Sequence, residues 1–113
     1  MSASEEERRV TERKPLRIRA TVVLGQTQSF EVRTLDLSVG GMGIVAQANP
    51  RPGTHMGIRF MLPLKPGGYV PFEARAKVIH SVYSASEQGF KIGLVFLALN
   101  EGAAASLQRF VLP

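Results

Sequence analysis

Apolar side chains occupy every second position from Leu16 onward, and that period admits strands while excluding helices. Leu16, Ile18, Ala20, Val22 and Leu24 alternate with Arg17, Arg19, Thr21 and Val23. The same period returns at Phe30 and Val32, at Met56, Ile58, Phe60 and Leu62, at Phe72, Ala74, Ala76 and Val78, and at Phe90, Ile92, Leu94 and Phe96. Met42, Ile44 and Ala46 form a shorter run. Turn residues separate the runs: Gly25-Gln26, Asn49-Pro50 with Pro52-Gly53, Pro66-Gly67-Gly68, and the stretch from Ser84 to Gly89. Six short strands with brief connections predict an antiparallel barrel or sandwich. The tail changes period. Asn100 is a suitable N-cap for a helix running through Ser106 and Phe110, rich in alanine at residues 103–105, with Leu107, Phe110 and Val111 on one face. Such a helix is expected to lie across an open end or seam of the strands.

At 113 residues the chain supports one modest core, so one site is sought and not a cleft between domains. A hydrophobic content of 44% with 20% charged residues is that of an ordinary globular domain. No run approaches the ~18 apolar residues of a membrane span, and the polar stretch Met1 to Arg13 does not read as a secretory signal. With no cysteine, disulfides, thiolate chemistry and Cys-ligated zinc are excluded, which makes a cytoplasmic location the default expectation. Lys and Arg outnumber Asp and Glu by 14 to 9, a net charge of +5 that favours an anionic partner without naming it.

Catalysis finds little support. His55, in a turn region, and His80, near the end of a long strand, lack carboxylates at metal-ligand spacing and read as partly exposed or hydrogen-bonded histidines. Ser38 has no base nearby in sequence, and neither a Gly-x-Ser-x-Gly elbow nor a phosphate-binding glycine loop occurs. The expectation is a binding protein, not an enzyme, with no metal and no cofactor.

Two short stretches carry the binding chemistry. In Arg13-Lys14-Pro15-Leu16-Arg17 two guanidinium groups are spaced four residues apart ahead of the first strand, with Pro15 denying a helix. Arginine's planar fork matches phosphate oxygens or the O6/N7 edge of guanine, and it also stacks on purines. The second stretch is Asp36-Leu37-Ser38-Val39-Gly40-Gly41, an acid, a hydroxyl and two glycines where a simple hairpin turn would do. An ionised aspartate only accepts, and its two oxygens suit the N1-H and N2-H donors of guanine. Ser38 adds a hydroxyl for a phosphate or base. Gly40 and Gly41 permit positive φ and a close approach of a ligand to the backbone. An Asx-turn followed by a glycine bulge explains the same residues structurally.

Together these stretches resemble the paired motif of the PilZ domain family, Arg-x-x-x-Arg before the first strand and Asp/Asn-x-Ser-x-x-Gly after the second. Here they read Arg13-x-x-x-Arg17 and Asp36-x-Ser38-x-x-Gly41. Met42-Gly43-Ile44-Val45 and Ile92-Gly93-Leu94-Val95-Phe96 extend the resemblance over most of residues 12–112. It implies an all-β fold, a six-stranded antiparallel barrel with a C-terminal helix, over residues 13–113, behind a flexible arm at residues 1–12. It also implies a bacterial receptor for the second messenger cyclic di-GMP. Arg13, Arg17, Asp36, Ser38 and Gly41 are then the ligand-binding residues, with Arg9 and Gly40 as weaker candidates. Arg9-Val10-Thr11-Glu12-Arg13 has the same arginine spacing, so two pairs are open; Arg13 and Arg17 are preferred because Arg17 runs straight into the strand at Ile18. The implied mechanism is ordering of the arm over the nucleotide, with the signal passed to a downstream effector protein. Competing readings are a PilZ-like protein-interaction adaptor without nucleotide and a small-barrel nucleic-acid-binding protein. The last would need exposed aromatics, whereas Phe30, Phe60, Phe72, Phe90 and Phe96 fall in the core register.

Overall fold

The computed structural model describes residues 12–112. The expected arm, apart from Glu12, and the candidate Arg9 lie outside the described residues. Alternation is realised as strands β1 (Lys14–Pro15), β2 (Arg19–Leu24), β3 (Gln28–Leu37), β4 (Gly41–Ala46), β5 (His55–Pro63), β6 (Tyr69–Ser84) and β7 (Gly89–Ala98), followed by helix α1 (Glu101–Val111). All pairings are antiparallel, in the order β1-β3-β2-β5-β6-β7-β4, and β3 also pairs β4. That last pairing closes the sheet into a six-stranded barrel, since β1 and β2 are two segments of one strand running along β3.

The sequence predicts one unbroken strand from Leu16, and the structure interrupts it between Pro15 and Arg19. Thr34 on β3 mends the gap: its hydroxyl accepts from the Ile18 amide at 3.0 Å and donates to the Leu16 carbonyl. Thr34 is only 1% exposed, and buried backbone groups deprived of ladder partners need such a substitute.

Inward residues from β2 to β7 fill the barrel, among them Val22, Val32, Ile44, Ile58, Leu62, Phe72, Val78 and Leu94. Phe60 and Phe72 stack with centroids 4.9 Å apart, a geometry that contributes about 0.5–1.5 kcal/mol beyond area burial. The expectation for the phenylalanines holds in part: Phe60 and Phe72 are buried, while Phe30, Phe90 and Phe96 are half-buried against the core. His55 begins β5 and does not lie in a turn.

The tail helix forms as expected. Asn100 Oδ1 accepts from the Ala103 amide at 2.7 Å, satisfying one of the orphan donors at the N-terminus. Ala103, Leu107, Phe110 and Val111 form its buried face, and the helix packs against β6. Lys14 fastens the other end, donating to the Phe110 carbonyl at 3.0 Å with its ammonium 4.7 Å from the Phe110 ring centroid. The segment carrying Arg13 and Arg17 is thus anchored to both β3 and α1. No helix among the described residues is long and apolar enough to cross a membrane.

Candidate functional site

The β3–β4 corner is held by its own polar atoms. The Ser38 amide donates to the Gly41 carbonyl at 2.8 Å, and the Ser38 hydroxyl donates to that same oxygen and accepts from the Gly41 amide, both at 3.1 Å. Ser38 is 3% exposed, so its hydroxyl is committed to the corner. The Gly40 carbonyl accepts from the Phe96 amide at 2.9 Å and ties the corner to β7. At Gly41 a Cβ would run into the Leu94 carbonyl oxygen on β7. Neither glycine serves for positive φ; among the described glycines that conformation belongs to Gly25, Gly53 and Gly68. What Gly41 supplies is the close approach of two strands.

Asp36 sits at a register shift between Thr34 and the corner. Its Oδ1 accepts from the Gly43 amide at 2.9 Å and from Arg13 Nη1 at 2.8 Å. The ion pair is partly exposed, and two motifs 23 residues apart in sequence meet in it. Pro15 lies opposite Asp36 in the β1–β3 pairing, which sets the approach of Arg13.

Arg17 points elsewhere. Its guanidinium grips Glu87 in the β6–β7 turn, Nη2 to Oε1 at 3.0 Å and Nη1 to Oε2 at 3.3 Å, while 63% of its side-chain surface stays exposed. Glu87 also offers its backbone carbonyl to Arg33 Nη2 at 2.7 Å. The hydrogen bond from Arg17 holds the Glu87 carboxyl below the usual glutamate value against the opposing effect of desolvation, and the pairing raises Arg17 in turn. Arg19 pairs with Glu31 at 3.3 Å, so the two arginines of the strand's polar face diverge.

The structure therefore brings Arg13 to Asp36 and leaves Arg17 with Glu87 at the β6–β7 turn, while Ser38, Gly40 and Gly41 build the corner beside Asp36. Glu87 and Arg33 were not singled out from the sequence. Arg17 and Glu87 are separated by 70 residues, and only the strand register joins them. Concavities of about 640 and 610 Å³ lie beside α1, the first between the helix and β2, β5 and β6, the second lined by Lys14, Arg17 and Phe110. Neither includes Asp36.

The fold has solved counterparts. The inhibitor of motility MotI/DgrA of Bacillus subtilis superimposes with a TM-score of 0.72 at 15% identity, over 84% of this chain and 45% of that one. This chain spans less than half of that protein's length. The PilZ domain of CeSA from a cellulose-synthesizing bacterium gives 0.61 at 20% identity, over 89% and 95% of the two chains. The PilZ domain of YcgR from Escherichia coli, solved with c-di-GMP, gives 0.60 at 20% identity, over 84% and 79%. None of the curated proteins compared with the sequence matches it. The family model described as PilZ domain matches residues 7–112, nearly the whole length, and with a closed barrel, a C-terminal helix and Arg13 of the first motif paired with Asp36 of the second, this chain belongs to the PilZ domain family.

Proposed function

We propose that the protein is a receptor for cyclic di-GMP that acts as an adaptor, with Arg13, Arg17 and Asp36 as the contacts that recognise the nucleotide. The observation that carries this reading is the meeting of Arg13 and Asp36 at 2.8 Å on an exposed face, with Arg17 four residues along the same segment and largely exposed. A pair of that kind offers donors for phosphate or the guanine O6/N7 edge next to an acceptor for the guanine N-H edge. Nucleotide binding exchanges the internal partners of these groups, Asp36 for Arg13 and Glu87 for Arg17, for ligand atoms. Ser38, Gly40 and Gly41 act through the corner they build. The solved complex of the Escherichia coli YcgR domain with c-di-GMP, on the same fold, supports the choice of ligand.

Because Lys14 and Pro15 are paired with Leu37 and Asp36, the rearrangement that binding calls for is that of Arg13, which gives up Asp36 and closes over the ligand. Closure there presents a new surface to a downstream effector protein, in a non-enzymatic role consistent with a cytoplasmic domain. Isothermal titration with cyclic di-GMP tests the reading. Saturable binding by the wild type is expected, with Arg17→Ala and Asp36→Ala each weakened about tenfold or more, the value of one good bidentate arginine-guanine contact at roughly 1–3 kcal/mol. Wild-type protein that gives no heat with the dinucleotide leaves the adaptor without nucleotide as the function. Saturation by a single-stranded oligonucleotide instead would make it a nucleic-acid-binding barrel.

A further inference from the structure

The barrel wall is not paired along its whole height. β6 spans 16 residues, but its ladder with β5 ends at His55 opposite Lys77. Beyond it the Val78 amide donates to the Thr54 carbonyl and the Val78 carbonyl accepts from the Gly53 amide. From Ile79 to Ser84 the strand is paired with β7 alone, so its other side is a sheet edge.

The ladder fixes which groups point at that edge. The Phe96 amide donates to the Gly40 carbonyl, and in an antiparallel ladder hydrogen-bonded and non-hydrogen-bonded pairs alternate. Phe96, Leu94, Ile92 and Phe90 therefore bond toward β4, and Gly93, Lys91 and Gly89 toward β6. Their partners His80, Val82 and Ser84 use their amides and carbonyls within the barrel wall. Ser81 and Tyr83 aim theirs at the edge, where no backbone group among the described residues bonds to them.

An open edge is a template for another strand, and proteins commonly blunt it with Lys, Pro or charge. β1, at the margin of the same sheet, follows that rule with Lys14 and Pro15. The edge from Ile79 to Ser84 does not. It contains no Lys, Arg, Asp, Glu or Pro, and Ile79, Val82 and Tyr83 are 48%, 61% and 61% exposed.

We infer that this edge is a self-association surface, on which β6 of a second copy adds antiparallel about a two-fold axis at Val82. The register follows from the alternation. Ser81 of each copy lies opposite Tyr83 of the other, exchanging both backbone hydrogen bonds, and Val82 meets Val82 as a non-hydrogen-bonded pair with Cα atoms about 4.5 Å apart. Charge selects the occupant. The chain carries +5, so a copy of itself is repelled by most of its surface, and this neutral strip is where like can face like. Lys91, opposite Val82 on β7, stands three strand spacings from its counterpart, about 14 Å, beyond the screening length of ~8 Å. A foreign strand selected by charge finds no charged anchor on this edge. The ribbon is small beside the ~800 Å² per partner of a stable complex, so the association is reversible, with a midpoint between about 1 μM and 1 mM. It stands independently of nucleotide binding.

Sedimentation equilibrium of the full chain from about 10 μM to about 1 mM is the test, and a monomer–dimer equilibrium is expected. Val82→Lys puts two ammonium groups at the axis and is expected to weaken association about tenfold or more; the residue is exposed, so the fold survives. Ser81→Pro removes an amide that serves the edge and no rung of the β7 ladder, and the same weakening is expected. Because the chain has no cysteine, Val82→Cys reports the register: mild oxidation is expected to cross-link it about tenfold faster or more than Gln26→Cys, placed in the β2–β3 turn. A wild type that stays monomeric at about 1 mM overturns the inference. So does a dimer that Val82→Lys and Ser81→Pro leave intact, or equal cross-linking of the two cysteine variants.

Discussion

The two motifs of this domain sit within reach of one another yet are built on opposite physical terms. The corner from Asp36 to Gly41 is made of groups the fold consumes: a buried hydroxyl bonded on both sides, a glycine pressed against β7, a carboxylate receiving a backbone amide. The segment from Arg13 to Arg17 presents exposed guanidiniums whose partners are side chains at the surface. One motif is scaffold, and in the other the guanidiniums of Arg13 and Arg17 carry little structural duty, which on the proposed reading frees them for a ligand. The difference predicts that damage to the first reads out as stability and damage to the second as affinity.

Gly41→Ala is the strongest challenge to that division. The added methyl meets the Leu94 carbonyl, a backbone atom that cannot step aside, and overpacking of this kind costs about 1–3 kcal/mol or more. Chemical denaturation is expected to show a loss at or above the upper end of that range. If the variant keeps wild-type stability, the corner is not the scaffold described here.

Ser38→Ala sharpens the same comparison at a smaller scale. It removes two hydrogen bonds from a buried site, leaving the Gly41 amide without its partner, and the expected loss is about 1–3 kcal/mol in denaturation. Affinity for cyclic di-GMP, measured well below the melting transition, is expected to fall less than for Arg17→Ala. The opposite order, a stable Ser38→Ala that no longer binds, would mean that the hydroxyl leaves its corner to reach the ligand.

The barrel was legible in the sequence because each strand states its own face: the period of two in Val22, Ile58 or Leu94 needs no knowledge of a partner. The helix was legible because Asn100 and the Leu107, Phe110 and Val111 face are local signals. The first motif and the second were legible as chemistry and not as geometry. Nothing in Arg13 or Arg17 says which acid each meets, and Glu87 reaches Arg17 only through the register of a hairpin far along the chain. A bulge has no compositional signature in β6, so strict alternation, correct as far as the exposed Ile79, misplaces His80 and the residues that follow it. Local period carries the fold, and the site is assembled from exceptions to it.

The pairing of Arg17 with Glu87 offers the mildest test, because both partners reach into solvent and such pairs contribute little to stability. Glu87→Gln is expected to leave the melting temperature at neutral pH nearly unchanged. Its effect lies on the ligand: an anionic nucleotide no longer competes with a carboxylate for Arg17, and affinity is expected to rise by about two- to fivefold. The direction of the pH response follows from the lowered Glu87 value. A carboxyl held below its ordinary value in the folded chain adds stability above the ordinary glutamate range, and that increment disappears as pH falls through the lowered value. Thermal melts taken from neutral to acid should therefore show a small extra loss in the wild type that Glu87→Gln lacks. Equal acid profiles together with unchanged affinity would mean that Arg17 does not depend on Glu87 for its placement, and the first motif would then be even less coupled to the fold than the contrast with the corner requires.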